Sequence, residues 1–290
     1  MTHPVSNRLV EERPVRVAYS THRRFLECPF QEALLRAGGP CSPKRRRPYL
    51  VGNVVHQTME YVAQYRELPT FQWLVGCYNH HAARVGLDEW LTDRDDNLGR
   101  WEQSRLAASK LGEWLLGFLK RVGPHLLRVD VEPYYGYQFT TPAGHPFIME
   151  SRPDLALVLG DPGSPAEVLI FDWKTGSSRL DPIQLAWYEA VTAQHDSYTD
   201  GSPSIQSRFV RLSSSDDPKV KVSSPISPAL REEAIRLAGT VADRLLSSDW
   251  PASPDRWRCR DCRVSASCSA SVAPGDLTTR LPTRNRVGTS

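Results

Sequence analysis

Ile170-Phe171-Asp172-Trp173-Lys174-Thr175-Gly176 is the stretch on which the reading of this chain turns, together with Arg152-Pro153-Asp154 upstream of it. Val168-Leu169-Ile170-Phe171 is a short apolar run of the kind a buried strand needs. An acid, one spacer and a lysine follow, so Asp172 and Lys174 share one side of that strand. Leu155-Ala156-Leu157-Val158-Leu159 is a second apolar run, and the six residues from Gly160 to Pro165 between the two are dense in turn formers. The pair reads as a hairpin that brings Asp154, at the start of one strand, close to Asp172, at the end of the other. Two carboxylates converging beside a lysine at a sheet edge can hold a hard divalent cation through oxygen ligands. Lysine and metal together can orient or activate a water, which suits phosphodiester hydrolysis.

Pro153-Asp154 followed by Asp172-Trp173-Lys174 resembles the signature of the PD-(D/E)XK nuclease superfamily. Taken alone, these residues fit equally well an exposed strand end that carries charge for solubility. The rest of the chain decides between the two.

At 290 residues the chain can hold one large domain or two modest ones, with length enough for a proper core. A net charge of +3 excludes a uniformly basic binder, so attraction for nucleic acid must come from local clusters such as Lys44-Arg45-Arg46-Arg47. That run, between Pro43 and Pro48, reads equally as a solvated loop. The first residues lack the apolar centre of a signal peptide, and no stretch approaches the roughly twenty apolar residues of a membrane span. The expected location is therefore cytoplasmic and reducing, which argues against reading the six cysteines as three disulfides. No internal repeat is visible.

Along the chain, residues 1–19 read as an arm, with an edge strand at Val15-Arg16-Val17-Ala18. Ser20 is a candidate cap for a helix from Thr21 that Cys28-Pro29 interrupts and that resumes through Leu34-Leu35. Amphipathic helices are expected from Gly52 to about Arg66, over 70–85 and over 100–121, with a solvated loop at 93–97. One strand is expected over Val129–Thr141 and another at Phe147-Ile148-Met149, followed by the strands of Asp154 and Asp172. Asp181 is placed to cap a helix with Pro182 in its first turn. Strands at 209–212 and 220–222 and a helix over 228–246 complete the pattern. Helices first, then mostly antiparallel strands with one long crossing helix, make an α+β or mixed α/β layout. The expected organisation is one domain over 20–270, with a helical insert at about 67–125 and a cysteine-bearing segment at about 255–270. A polar, disordered tail is expected over 271–290.

Further constellations follow in order. Gln184 and Tyr188 lie at i and i+4, on one face of a helix that begins just after the Asp172 strand. The RecB-like branch of the superfamily places a Gln and a Tyr at this spacing, and the resemblance implies substrate-binding roles; a core aromatic and an exposed helix former are the plainer alternative. Gly52-Asn53-Val54-Val55-His56 resembles the same branch's first motif, which implies that His56 is a third metal ligand and that the Trp173 carbonyl adds another. A lone helical histidine is otherwise more often structural. The lead-in Glu150-Ser151-Arg152-Pro153 departs from the glycine and small or basic residue found in many members, and Glu150 is left out of the site. Glu132 matches a family acid in a similar position.

Cys259-Arg260-Asp261-Cys262, with Cys268 five residues on, places three thiols in a segment with little else to fold around, which argues for a metal or cluster. Cys28-Pro29 resembles the N-terminal cysteine motif of RecB-like nucleases that carry a [4Fe–4S] cluster, as in the AddB nuclease and the CRISPR-associated iron–sulfur exonucleases. The resemblance implies four iron–sulfur ligands, Cys28, Cys259, Cys262 and Cys268; structural Zn²⁺ is the alternative from ligand type. Cys41 and Cys77 have no partners at useful spacing and read as buried or inert thiols.

Together these motifs imply a restriction-endonuclease-like core, a mixed central sheet flanked by helices whose two ends meet at the cluster. The implied activity is a metal-dependent DNA nuclease, an exonuclease by resemblance. His56, Asp154 and Asp172 would hold Mg²⁺ or Mn²⁺, with Asp154, Asp172 and Lys174 as the catalytic set. DNA with a free end or a single strand is the expected partner, in repair, recombination or CRISPR and mobile-element processing, with no membrane partner. The chain has no phosphate-cradling Gly-x-x-x-x-Gly-Lys loop, so helicase activity would come from a partner protein. A non-catalytic DNA-binding or partner-docking protein with a nuclease-like fold is the alternative.

Overall fold

The computed structural model of the chain describes residues 14–38, 49–84, 94–162, 164–175, 180–195, 198, 203–213, 218–247, 250–254, 259, 262, 264–265 and 268–271. The basic run 44–47, Cys41, Trp90 and the tail from 272 lie outside them, as do residues 1–13 of the arm.

The elements in chain order are β1 (Val15–Ala18), α1 (Tyr19–Glu27), α2 (Pro29–Arg36), α3 (Tyr49–Tyr65), α4 (Phe71–Arg84) and α5 (Arg94–Val122). Then come β2 (Leu126–Val131), β3 (Tyr135–Thr140), β4 (Pro146–Ser151), β5 (Leu155–Asp161), β6 (Ser164–Lys174), α6 (Pro182–Thr192), β7 (Ser204–Leu212), β8 (Val220–Val222) and α7 (Pro228–Leu246).

Five strands form the central sheet in the order β2-β5-β6-β7-β8, and a second sheet of three runs β1-β4-β3. The β5–β6 hairpin forms as the alternation of apolar runs and turn residues requires. Leu155 pairs with Phe171, which sets Asp154 across from Asp172. Gly160 makes the turn possible: its φ is +151°, and a Cβ there would meet Ser164 O at 2.4 Å.

The strands are more mixed than the largely antiparallel set expected. β6 and β7 run parallel, joined by α6 as the crossover, and β1 runs parallel to β4. The single strand expected over Val129–Thr141 is two strands in different sheets. The chain turns at Glu132, whose φ is +43°, and at Pro133, which has no N–H for a ladder. Helix α1 starts at Tyr19 with Ala18 at its cap position, so Ser20 lies inside the first turn instead of capping it. The loop expected at 93–97 is helical from Arg94. Asp181 caps α6 as expected, accepting the Ile183 N–H at 3.0 Å, with Pro182 at the first helical position.

Residue parity along the strands divides the core into two layers. Leu155, Leu157, Phe171 and Trp173 face α3 and α5, packing with Val55, Met59, Leu111 and Leu115. Ala156, Val158, Val168 and Ile170 face the other way, onto α6, α7 and the three-stranded sheet, around Trp187, Phe147 and Ala238. A third cluster, Leu50, Val54, Leu74 and Tyr78, fastens α4 to α3. Trp73 and Trp101 pack against it, and Trp114 packs on the Phe171–Trp173 layer. The result is a mixed sheet flanked by helices on both faces. Among the described residues, no helix is long and apolar enough to cross a membrane.

One polar group is built deep into this frame. Glu189 on α6, with a side chain 2% exposed, accepts from Ser207 N at 2.7 Å, Ser207 Oγ at 2.8 Å and Arg231 Nε at 2.5 Å. The guanidinium is the one cation in that set, so its removal leaves a buried charge short of its counter-ion. Arg231→Met is expected to cost about 3 kcal/mol, read as a lower urea midpoint at unchanged slope. An unshifted midpoint would show that Glu189 is held adequately by Ser207 alone.

Candidate active site

The ends of β5 and β6 deliver the two aspartates, and each is already engaged. Asp154 Oδ2 accepts the Trp173 N–H at 2.6 Å, while its Oδ1 lies 3.2 Å from His56 Nδ1 on α3. Asp172 Oδ1 accepts from Gln184 Nε2 at 2.9 Å and from the Tyr188 hydroxyl at 2.8 Å. Lys174 Nζ stands 2.6 Å from Asp172 Oδ2, and on its other side lies over the Phe209 ring at 5.2 Å. Although close, this ammonium is off the line of a hydrogen bond, so Oδ2 is buried with a charge beside it and no donor aimed at it.

Local structure explains why these groups meet. Asp172 and Lys174 share the parity of Ile170 and so point toward α6, whose i, i+4 face presents Gln184 and Tyr188. Gln184 Nε2 also donates to the Tyr188 hydroxyl at 2.6 Å, tying the pair together. His56 arrives from the opposite layer. Gly52, one turn earlier, packs closely there: a Cβ on it would stand 3.2 Å from Thr175 Oγ1 just past β6. The glycine and histidine spacing seen in the sequence is thus a close-packed position joined to a side chain that reaches Asp154.

Burial sets the electrostatics. The Asp172 side chain is 4% exposed, and desolvation together with the charge of Asp154 pushes its carboxyl up to about 6, against the opposing pull of Lys174. Burial alone would push the His56 imidazole down, but the hydrogen bond and charge of Asp154 outweigh it and the net shift is upward. The Tyr188 phenol is held well above its ordinary range by burial and by Asp172 and Asp154.

Two carboxylates widen the site. Glu60, one turn beyond His56 on the same face of α3, hydrogen-bonds to Glu132, and burial followed by that contact pushes it up to about 7. Glu132 is held in turn by Arg152, and its backbone N–H donates to the Asp154 carbonyl at 3.0 Å. The sequence reading flagged Glu132 but missed Glu60. Its signal was the i+4 step from His56, which only matters once His56 is known to face the strands. Glu150, omitted from the candidate set, accepts from Arg16 at 2.6 Å and Tyr134 at 2.6 Å, away from these groups.

Over them lies a cleft of about 710 Å³. His56 and Glu60 line it from α3, and Trp173, Lys174 and Glu132 from the strand ends. The last turn of α4 forms the remaining wall. Among the described residues, no group of three His, Cys, Asp or Glu is already closed into an ion-binding geometry. The donor set nonetheless suits a hard cation: two carboxylates, Asp154 and Asp172, beside the imidazole of His56, which lines the cleft, and one oxygen of Asp172 is buried without a donor.

A second cavity, of about 620 Å³, lies at the opposite ends of the chain and is lined by Cys28, Cys259, Cys262 and Cys268 together. Cys28 sits in extended backbone between α1 and α2. Backbone bonds from Cys262 N to Cys259 O, Ser265 N to Cys262 O and Cys268 N to Ser265 O, each 3.3 Å, wind the C-terminal segment in three-residue steps. The Cys262 and Cys268 thiols are raised, by burial first and then by the neighbouring thiols, Cys28 among them. Crowded, partly buried thiols of this kind suit a thiolate-binding cation or cluster. Cys77 is different: buried in α4, with its Sγ 3.3 Å from Gln57 Oε1, it is pushed up to about 12.

A family model described as the PD-(D/E)XK nuclease superfamily matches residues 16–269. Among solved structures, the chain is similar to a "Putative exonuclease" from Eubacterium rectale, at 12% identity and a TM-score of 0.46, covering 90% of this chain and 92% of that one. It is also similar to the protein SSO0001, at 16% identity and a TM-score of 0.31, covering 75% and 83%. No curated protein matches the sequence. The chain belongs to the PD-(D/E)XK nuclease superfamily.

Proposed function

We propose that this member of the PD-(D/E)XK nuclease superfamily is a Mg²⁺- or Mn²⁺-dependent deoxyribonuclease of the RecB-like branch, acting as an exonuclease in the cytoplasm on DNA with a free end or a single strand. The observation that carries the reading is the convergence of His56 on Asp154 and of Lys174 on Asp172, with His56 and Lys174 lining one cleft and Gln184 and Tyr188 bonded to the buried aspartate. His56, Asp154, Asp172 and the Trp173 carbonyl would hold the cation. When bound there, a divalent cation supplies charge neutralisation at the scissile phosphate and makes a water more acidic. Lys174, hemmed between Asp172 and the Phe209 ring, places its ammonium where charge develops on the phosphate or where a water must be oriented. Gln184 and Tyr188 keep Asp172 in one rotamer and border the strand. The catalytic unit is proposed to span 20–270, with 67–125 as its helical insert. A helicase or a CRISPR or recombination protein is the proposed kind of partner, because the chain itself has no nucleotide-binding loop.

The four cysteines are proposed to hold a [4Fe–4S] cluster that ties α1 and α2 to the C-terminal segment. Four thiols lining one cavity support a shared bound group, with structural Zn²⁺ as the alternative to the cluster.

The test of the activity is cleavage of end-labelled single- and double-stranded DNA with Mn²⁺, Mg²⁺ or EDTA by the wild type and Lys174→Ala. Metal-dependent cutting that is lost in the variant supports the reading. Tight DNA binding with no cutting under any condition would favour the non-catalytic alternative. Tyr188→Phe deletes one donor to a buried carboxylate, worth about 1–2 kcal/mol, so a roughly tenfold fall in kcat is expected. An unchanged kcat would leave Tyr188 a core aromatic only.

A further inference from the structure

The cleft has one wall that the proposed chemistry does not use. His80, His81 and Arg84, at the C-terminal end of α4, line it together with His56, Glu60 and Lys174. We propose that His80 and Arg84 form a phosphate-binding wall that holds the sugar–phosphate backbone of the substrate strand beside the scissile bond. This rests on the nuclease reading above and adds the contact that positions its substrate.

Charge is the first argument. The acidic residues that line the cleft are Glu60 and Glu132, and its lining residues His56 and Lys174 stand against Asp154 and Asp172. A polyanionic strand brought against that floor meets net repulsion until cations offset it. Lys174 is the one lysine lining the cleft, and it is already committed to Asp172 at 2.6 Å. Uncommitted positive charge must come from elsewhere, and among the residues that line the cleft Arg84 is the arginine.

Pairing is the second. Most described arginines are bonded to a carboxylate: Arg16 to Glu150, Arg24 and Arg36 to Glu32, Arg128 to Asp130, Arg231 to Glu189, Arg236 to Glu233. Among the described residues, no carboxylate pairs with Arg84, which is exposed in the cleft wall. A planar guanidinium left open in this way matches two phosphate oxygens at once. His80, exposed and four residues earlier, lies on the same helical face.

Rigidity is the third. His81 Nε2 lies 2.7 Å from Gln57 Oε1, an oxygen that also receives the Cys77 thiol. With a donor already on that oxygen, the Nε2–H tautomer of His81 completes a bridge from α4 to α3. The Leu74–Tyr78–Val54 cluster packs the same two helices together. The wall is thus fixed relative to His56, which sits on α3 one residue before Gln57, so a phosphate held by Arg84 would have a defined register to the reacting one.

The experiment uses the full chain in an Asp172→Ala background, where binding is separated from cutting, with a 5′-labelled single-stranded oligonucleotide titrated over a salt series with Mg²⁺ present. Adding Arg84→Ala is expected to weaken binding about tenfold at fixed salt and to shrink the slope of log affinity against log salt by about 0.7, the loss of one phosphate contact. Arg84→Lys should recover most of the slope, because the charge remains. With Asp172 restored, Arg84→Ala should raise KM more than it lowers kcat. If Arg84 only complements the helix C-terminus, Arg84→Ala lowers the unfolding temperature and leaves slope and KM as they were, which overturns the wall while cleavage by the wild type stands. Protein that neither binds nor cuts nucleic acid overturns the wall together with the nuclease reading.

Discussion

Asp172→Asn is expected to abolish metal-dependent cleavage, by at least about a thousandfold, while raising the unfolding temperature of the metal-free protein. Both effects come from one fact, that a carboxylate is buried at the end of β6 where desolvation and the charge of Asp154 oppose its ionisation. Its folded pKa of about 6 stands above the ordinary carboxylate value near 4. Between those two values the folded state binds a proton that the unfolded state has lost. The contribution of Asp172 to stability is therefore present below about pH 4 and is lost as pH rises through about 6. At pH 7.5 the metal-free protein carries the cost of the ionised form, of order 3 kcal/mol, and the amide does not. A rise of about 5 °C is the expected size for a chain of this length. The amide keeps an oxygen for Gln184 and Tyr188 but offers no anionic oxygen to a cation, so the gain in stability and the loss of function share a cause. Mg²⁺ or Mn²⁺ should stabilise the wild type at pH 7.5 and leave Asp172→Asn unchanged, since a ligand stabilises only the state that binds it. Thermal melts at pH 5 and 7.5, with and without metal, check each part. A variant that melts with the wild type at both values and still cuts DNA would remove Asp172 from the site.

Cys28→Ala is expected to do the same damage as Cys262→Ala, although the two residues lie at opposite ends of the chain. The four thiols border one cavity, and loss of any one would leave the proposed cluster short of a ligand. Metal binding at thiolate sites contributes folding free energy on the order of 10 kcal/mol. Losing half of that would lower the unfolding temperature by about 10 °C or more. For an iron–sulfur cluster, anaerobically purified wild type should be brown and both variants colourless and iron-poor. Cys77→Ala should leave metal content unchanged, because its thiol is buried against Gln57 far from the ionised state. Colourless wild type with stoichiometric zinc would replace the cluster by Zn²⁺. A Cys28→Ala protein that retains full metal content would place Cys28 outside the binding set and leave the tie between the chain's ends without support.

The features legible in the sequence were those that short-range chemistry specifies. The β5–β6 hairpin is written as two apolar runs around turn formers. Asp181-Pro182 opens α6 because a capping carboxylate and a fixed φ act within one turn. Pro228 to Leu246 is a helix at the bounds its periodicity predicts. Parity then places Asp172 and Lys174 on one side of β6, and i, i+4 spacing places Gln184 beside Tyr188. Where local signals competed, the reading erred. Val129–Thr141 alternates like one strand, yet Glu132 and Pro133 turn the chain out of one sheet and into another. The run at 93–97 reads as a loop, yet α5 has already begun at Arg94.

What the sequence by itself determined, then, is the identity and order of the reactive groups and the local elements that carry them. Tertiary structure alone decided which groups meet from elements far apart in the chain. No window of the chain relates Glu60 to Glu132, brings Arg84 and Lys174 to the lining of one cleft, or makes β6 and β7 parallel. Those pairings depend on α3, α4 and α6 settling against a two-faced sheet. That docking is driven by burial of apolar surface, which is non-directional and summed over many distant contacts. Periodicity records which face of each element is buried, but not which partner buries it.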